Sequence, residues 1–259
     1  KNMTDLIKKI TVKKIKEKLK KSIPSIGTWV QIPNEISAEI LSQAQNIDWV
    51  CIDLEHSSIS YEKCESLIRA IDSGGSIPFV RLTSNNPDQI KRVLDSGARG
   101  IIVPMVNTLE DVKKAFNAMH YPPEGTRGVG LARAQEWGNK FEKYIKNEKD
   151  NLLVVQIENI EAVKNLDMIF SSELVDSYIV GPYDLSASMG IHGDFTNPMF
   201  KRVLKEISVK AKQYNVPKGY HLVNPEIKEL KKLLKDNYTF IAYSIDTVIL
   251  TEKIKFDVK

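Results

Sequence analysis

The chain has 259 residues, 42% of them hydrophobic and 27% charged, with a formal net charge of +4. This suits one large domain or two small ones, and a single α/β barrel typically takes about 250 residues. No apolar run approaches the roughly 18 residues of a membrane span. No secretory-type apolar segment follows the lysine-rich start, so no membrane partner is expected.

The charge is uneven. Residues 1–22 hold nine lysines against Asp5 and Glu17, a local +7 that leaves the rest of the chain at −3. Leu6, Ile7, Ile10, Val12, Ile15 and Leu19 recur at helical spacing. Residues 1–22 therefore read as a basic helix packing its apolar face on a body formed by 23–259. No arginine or aromatic residue interrupts the lysines, which argues against a nucleic-acid partner. Cys51 and Cys64 lie too far apart for a metal or redox pair, and their scarcity fits a reducing, cytoplasmic location.

From there the chain alternates. Candidate strands fall at Ile26–Gln31, Trp49–Leu54, Ile77–Leu82, Gly100–Met105, Leu152–Glu158, Ser177–Gly181, Lys218–Val223 and Phe240–Ile245. Their Val/Ile/Leu-rich runs read as strands buried on both faces, as in a parallel sheet wrapped by helices. Helix starts lie between them: Asn34, Ser60, Asn86-Pro87, the capping-box-like Thr108-Leu-Glu-Asp111, and Asn224-Pro225. Eight such units predict a closed (β/α)8 TIM barrel, in the α/β class. A doubly wound open sheet is disfavoured because no glycine-rich turn follows the first strand. One stretch breaks the rhythm: about thirty residues separate His120 from Asn151. The first part carries Arg127 and Arg133 between glycines and reads as a substrate-covering loop, and residues 139–149 read as a charged helix.

In a parallel barrel the strand C-termini converge on one mouth, where chemistry is done. Four strands end there on an ionisable group or lead into one: Asp53-Leu-Glu55-His56, Arg81, Glu158 and Gly181-Pro-Tyr-Asp184. Glu158 and Asp184 end neighbouring strands, and two carboxylates that close repel unless a cation joins them. Mg²⁺ or Mn²⁺ suits such a pair, whereas pairing with lysines or helix capping is the competing explanation. Nothing in the spacing supports zinc. Arg81 could stabilise an anion in the mouth or could be paired structurally with Asp53 or Glu55. His56 is the natural proton carrier, with Asp53, Glu55 or Asp95 as orienting acceptor. His120, His192 and His221 read as structural.

These segments together resemble the HpcH/HpaI aldolase family. The matching stretches are Asp53-Leu-Glu-His56, Val80-Arg81, Leu94-Asp95-Ser-Gly97, Val103-Pro-Met105, Tyr121-Pro-Pro-x-Gly-x-Arg-Gly128, Leu131-Ala-Arg-Ala134, Val155-Gln-Ile-Glu158 and Gly181-Pro-x-Asp-Leu-Ser186. They run in order from about residue 24 to residue 250, nearly the whole chain. The resemblance implies a class II aldolase cleaving a 4-hydroxy-2-oxo acid to pyruvate and an aldehyde. It implies a divalent metal (Mg²⁺ or Mn²⁺, or Co²⁺) on Glu158 and Asp184, with Gln156 as its neighbour. Arg81 would bind the keto oxygen, and His56, oriented by Asp95, would handle the proton of the C4 hydroxyl. Backbone N–H groups around Tyr183 and Asp184 would hold the carboxylate. A homo-oligomer, a hexamer or trimer of dimers, is also implied.

The chain departs from many relatives in carrying the bulky Tyr183 and in running Gly130 directly into Leu131. Both changes are expected to reshape the aldehyde side of the pocket. A citrate-lyase-like enzyme acting on a CoA thioester and a non-catalytic binding barrel are the alternatives.

Overall fold

In the computed structural model, residues 10–254 are described. Thr11 caps α1 (Val12–Lys20) by accepting a hydrogen bond from the Lys14 backbone N–H at 3.2 Å. The helix turns Val12, Ile15 and Leu19 inward among the side chains that fill the barrel. It therefore closes the end of the barrel where the strands begin. Lys16 pairs with Asp176 at 3.2 Å across that end. The expected contacts of Leu6 and Ile7 fall outside the described residues.

Eight strands follow: β1 (Ser25–Val30), β2 (Trp49–Asp53), β3 (Ile77–Arg81), β4 (Gly100–Val103), β5 (Leu152–Ile157), β6 (Ser177–Val180), β7 (Lys218–Leu222) and β8 (Tyr238–Ile245). All seven ladders are parallel, in the order β6-β5-β4-β3-β2-β1-β8-β7, and β6 and β7, the two ends of that order, lie side by side without a ladder of their own, leaving a nearly closed barrel. That last seam depends on Gly219, because a Cβ there would stand 1.7 Å from the Tyr178 carbonyl oxygen. The Ser177 hydroxyl bridges the same seam, donating to the Pro217 carbonyl at 3.0 Å.

The alternation expected of a strand decides what faces where. Trp49, Phe79 and Phe240 point inward as a stack, with ring centroids 4.4–5.9 Å apart. Val50, Ile52, Val80, Ile101, Val103, Leu153 and Val155 point outward into the layer beneath the helices. That layer is covered by α2 (Glu35–Ser42), α3 (Tyr61–Gly74), α4 (Pro87–Asp95), α5 (Leu109–Met119), α7 (Ile160–Lys164), α8 (Leu166–Ser171) and α10 (Pro198–Gln213). The other helices are α6 (Phe141–Asn147), α9 (Pro182–Ser188), α11 (Ile227–Lys235) and α12 (Asp246–Ile254). The helix starts at Asn34, Ser60, Asn86 and Thr108 are all capped as predicted, Thr108 and Asp111 forming the capping box. No described helix is long and apolar enough to cross a membrane.

Three expectations change, the first at α11, which begins at Ile227 after Glu226 and is not capped by Asn224. The strands β2, β4 and β5 stop at Asp53, Val103 and Ile157, so Leu54, Met105 and Glu158 lie just beyond them. The connection from His120 to Asn151 contains α6, within the predicted 139–149. It does not cover the mouth of its own barrel, however. It leaves the C-terminal end of α5, which, like every returning helix, ends at the face where strands begin. Arg133 there pairs with Asp72 at 2.6 Å and donates to the Ser96 carbonyl at 3.0 Å, at the ends of α3 and α4.

Candidate active site

Asp53 ends β2 with its carboxylate at 0% exposure, and it organises one half of the mouth. Its oxygens accept from Arg81 Nε at 2.9 Å and Nη2 at 2.7 Å, the bidentate geometry that a guanidinium provides and an ammonium cannot. Oδ2 also accepts from the Gln31 amide at 2.8 Å. Oδ1 accepts from the backbone N–H groups of Glu55 and His56 at 3.1 and 3.3 Å, folding the Asp53-Leu-Glu-His56 segment over the strand end. Burial alone would raise this carboxyl, but the hydrogen bonds and charge of Arg81 outweigh it and hold the pKa below the ordinary aspartate value.

Arg81 is 7% exposed. Its Nη1 approaches Glu55 Oε2 at 3.1 Å, and its guanidinium lies over the Trp29 ring at 4.1 Å from the centroid. Both structural pairings foreseen for Arg81 are therefore made at once. N–H bonds remain on Nη1 and Nη2 beyond those directed at Asp53 and Glu55. The guanidinium is thus fixed in its plane and still able to donate to an anion.

The other half of the mouth is acidic. Glu158, 2% exposed, accepts from the Met105 backbone N–H at 2.6 Å and from the Gln156 amide. Met105 adopts a left-handed φ of 53°, which turns that N–H toward the carboxylate. Burial raises the Glu158 pKa above the usual glutamate value, and Glu55 and Asp184 raise it further, against the hydrogen bonds from Gln156 and Met105. Burial likewise raises Glu55, which feels Arg81 in the opposite sense and Asp53 and Asp184 in the same sense. Gly181 makes room for this arrangement. A Cβ there would stand 2.7 Å from Glu158 Oε2. Asp184 sits in the first turn of α9, beside Tyr183, which is 64% exposed and meets Phe195 edge-on at 5.0 Å.

The donor set can be tested for a divalent cation. Glu158 has no cationic partner among the described residues, and the neighbouring Glu55 and Asp184 add to the burial that raises its pKa. Hard oxygen donors in mutual repulsion fit a small dication. Among the described residues, no group of three or more His, Cys, Asp or Glu side chains has the arrangement of a complete metal cage. Two carboxylates with remaining positions left for water and substrate match what Mg²⁺ or Mn²⁺ typically takes from a protein.

His56 projects outward, its side chain 60% exposed and its Nε2 3.7 Å from Glu55 Oε2. Asp95 does not orient it within this chain. Asp95 is the last residue of α4, which descends to the opposite face, and there it accepts from Arg127 at 2.5 Å. His120 is structural as expected, buried against Glu148 at 3.0 Å.

A family model described as HpcH/HpaI aldolase/citrate lyase matches residues 25–252. The chain belongs to this family. It is 37% identical over 238 residues to a 4-hydroxy-2-oxo-heptane-1,7-dioate aldolase of Shigella flexneri, covering 91% of this chain and 88% of that one. An HpcH/HpaI aldolase/citrate lyase family protein from Burkholderia cenocepacia J2315 superposes with a TM-score of 0.87 at 29% identity, covering 93% and 96% of the two chains. The citrate synthase SbnG superposes with a TM-score of 0.81 at 26% identity, covering 92% and 93%. The family resemblance read from the motifs and the carbon–carbon lyase class are both borne out by these relatives.

Sequence reasoning left several members of the site unassigned. Gln31, another polar residue just past a strand end, carried the same signal as Arg81 and Glu158. Trp29 and Gly181 carried none on their own: an apolar residue in an apolar strand and a glycine after a strand are commonplace.

Proposed function

We propose that the chain is a divalent-metal-dependent class II aldolase that reversibly cleaves a 4-hydroxy-2-oxo acid to pyruvate and an aldehyde. One observation carries this reading. Buried Glu158, with Glu55 and Asp184 acting on it, shares a mouth with an arginine whose guanidinium is already fixed. Glu158 and Asp184 would hold the cation, Mg²⁺, Mn²⁺ or Co²⁺, with the Gln156 amide orienting Glu158. When bound, the cation supplies a Lewis acid for the carboxylate and keto oxygens of the substrate.

The chain's own groups do the rest. Arg81 donates to the keto oxygen and stabilises the negative charge that develops on it as the C3–C4 bond breaks. Backbone N–H groups at Tyr183 and Asp184 hold the substrate carboxylate. His56, exposed at the rim, takes the proton of the C4 hydroxyl as the carbonyl of the aldehyde forms. Tyr183 then faces the aldehyde side. A homo-oligomer belongs to the same reading, supported by the exposed apolar side chains of Val129, Leu131 and Trp137 on the connection between α5 and β5.

The test is pyruvate release, coupled to lactate dehydrogenase, from a panel of 4-hydroxy-2-oxo acids. It is run metal-free, with each cation, and with Glu158→Ala. Metal-dependent release that the substitution abolishes is the expected result. A folded wild type that releases no pyruvate and binds neither metal nor pyruvate overturns the reading.

A further inference from the structure

His221 lies inside the barrel on β7, where sequence alone marks it as structural, yet its surroundings are those of the reactive half of the mouth. Its imidazole is parallel to the Trp29 indole, with centroids 4.7 Å apart and planes 7° from coplanar. The same indole carries the Arg81 guanidinium at 4.1 Å. Strands β3 and β7 each lie two places from β1 in the sheet, on either side of it. Arg81 and His221 therefore approach Trp29 from opposite sides.

We propose that His221 is a positioning residue for Arg81, acting through Trp29. This rests on the aldolase reading only for its catalytic consequence.

Asp53 fixes the guanidinium within its own plane through two hydrogen bonds. Movement out of that plane is limited by the indole face beneath it. The indole in turn has no hydrogen bond to hold it, because Trp29 Nε1 has no partner among the described residues. Its orientation comes from packing, and the flat imidazole is the ring that packs parallel to it. Burial, reinforced by the Arg81 charge, lowers the His221 pKa to about 3, so the ring is neutral and adds no second cation beside Arg81. A hydrogen bond aimed at a developing charge loses force when the donor is misplaced by tenths of an ångström. The flat support beneath Arg81 should therefore show in kcat more than in KM.

The experiment compares wild type, His221→Leu and His221→Phe. One readout is the exchange of pyruvate C3 protons into D₂O with Mn²⁺-free, Mg²⁺-loaded enzyme, followed by NMR as kcat and KM. The second is the Arg81 Nε–H chemical shift, which the indole ring current displaces and which needs no activity. His221→Leu should lower the exchange kcat on the order of tenfold with KM within about twofold, and should move the shift. His221→Phe, which restores a plane, should recover both to within about threefold. Should His221→Leu fail to fold, His221→Met takes its place. A folded leucine or methionine variant with unchanged shift and kcat overturns the proposal, and so does a phenylalanine variant as impaired as leucine. If wild type exchanges no protons, the aldolase reading fails, while the chemical shift still decides the role of His221.

Discussion

The Asp53–Arg81 pair is where the structure makes its sharpest energetic claim. Asp53 is fully buried, Arg81 nearly so, and the two are joined by paired bonds of 2.9 and 2.7 Å. Removing one member of such a pair strands the other charge, at a cost of about 3–5 kcal/mol. Asp53→Asn leaves Arg81 with Glu55 alone, and Arg81→Gln leaves a buried carboxylate supported by Gln31 and two backbone N–H groups. Each should lower the unfolding free energy from urea titration at pH 7 by that amount, or Tm by roughly 6–20 °C for a domain of this size. The double variant strands neither member of the pair, leaving only the Glu55 carboxylate without its arginine, and should recover about 2 kcal/mol or more of the summed loss. Because the folded pKa of Asp53 lies below the unfolded one, its contribution is present above the ordinary value of 3.8 and lost as pH falls through the folded value. The cost of Asp53→Asn should therefore shrink below pH 3.8. Single losses under about 1 kcal/mol, or strict additivity in the double variant, would refute the reasoning.

Other outcomes follow from the same geometry. Gly181→Ala pushes a methyl against Glu158 Oε2, 2.7 Å away. It should weaken Mn²⁺ binding by at least about tenfold in calorimetry, since a displaced ligand side chain costs affinity on that scale; unchanged affinity would remove Glu158 from the metal site. The pKa of Glu158 is raised on folding, so metal-free protein loses stability as pH climbs through that raised value. Glu158→Gln should therefore be the more stable protein at pH 8 without metal, its advantage fading toward pH 4.5 and reversing with saturating Mn²⁺; an advantage that does not change with pH contradicts the buried-charge account. His56→Asn should reduce pyruvate release on the order of a hundredfold while leaving pyruvate affinity intact in calorimetry. Gly219→Ala, with its Cβ 1.7 Å from a backbone oxygen, should cost at least about 2 kcal/mol in urea unfolding, and a neutral result would mean β6 and β7 do not lie side by side.

The barrel and much of its mouth were legible because their signals are local. Apolar runs of four to six residues, caps at Asn34, Ser60, Asn86 and Thr108, and an ionisable group at or just past four of the strand ends can be read without knowing any contact. Parallel connectivity then delivers Asp53, Arg81 and Glu158 to one face. What was lost is information that depends on which end of the barrel a segment occupies. Asp95 ends a helix rather than a strand, so it belongs to the face opposite His56, and the connection that carries Arg127 does too. That could have been deduced from connectivity alone, since every turn after a helix in such a barrel lies at the strand N-termini. Trp29, Gly181 and the left-handed Met105 are a different matter. Their roles exist only in three dimensions, as a surface beneath Arg81, a space beside Glu158 and an N–H turned toward it.

The two buried acids of the mouth show how one environment assigns opposite duties. Asp53 and Glu158 are both almost inaccessible, yet their proton affinities move apart: burial raises both, Arg81 more than compensates the first, and no cation compensates the second, where Glu55 and Asp184 add to the rise. Titratable groups pushed apart within one site mark a division of labour. Asp53 is committed to structure: it fixes the guanidinium and folds the Glu55–His56 turn, and no reaction can call on it without releasing both. Glu158 is held in place by neutral donors that orient it but leave its charge uncompensated. A protein that keeps such a carboxylate desolvated is least stable when metal-free at the pH where it is ionised. On the proposed function, the cation that relieves this repulsion is also the group that binds substrate, so stability and metal loading should rise together along one titration curve.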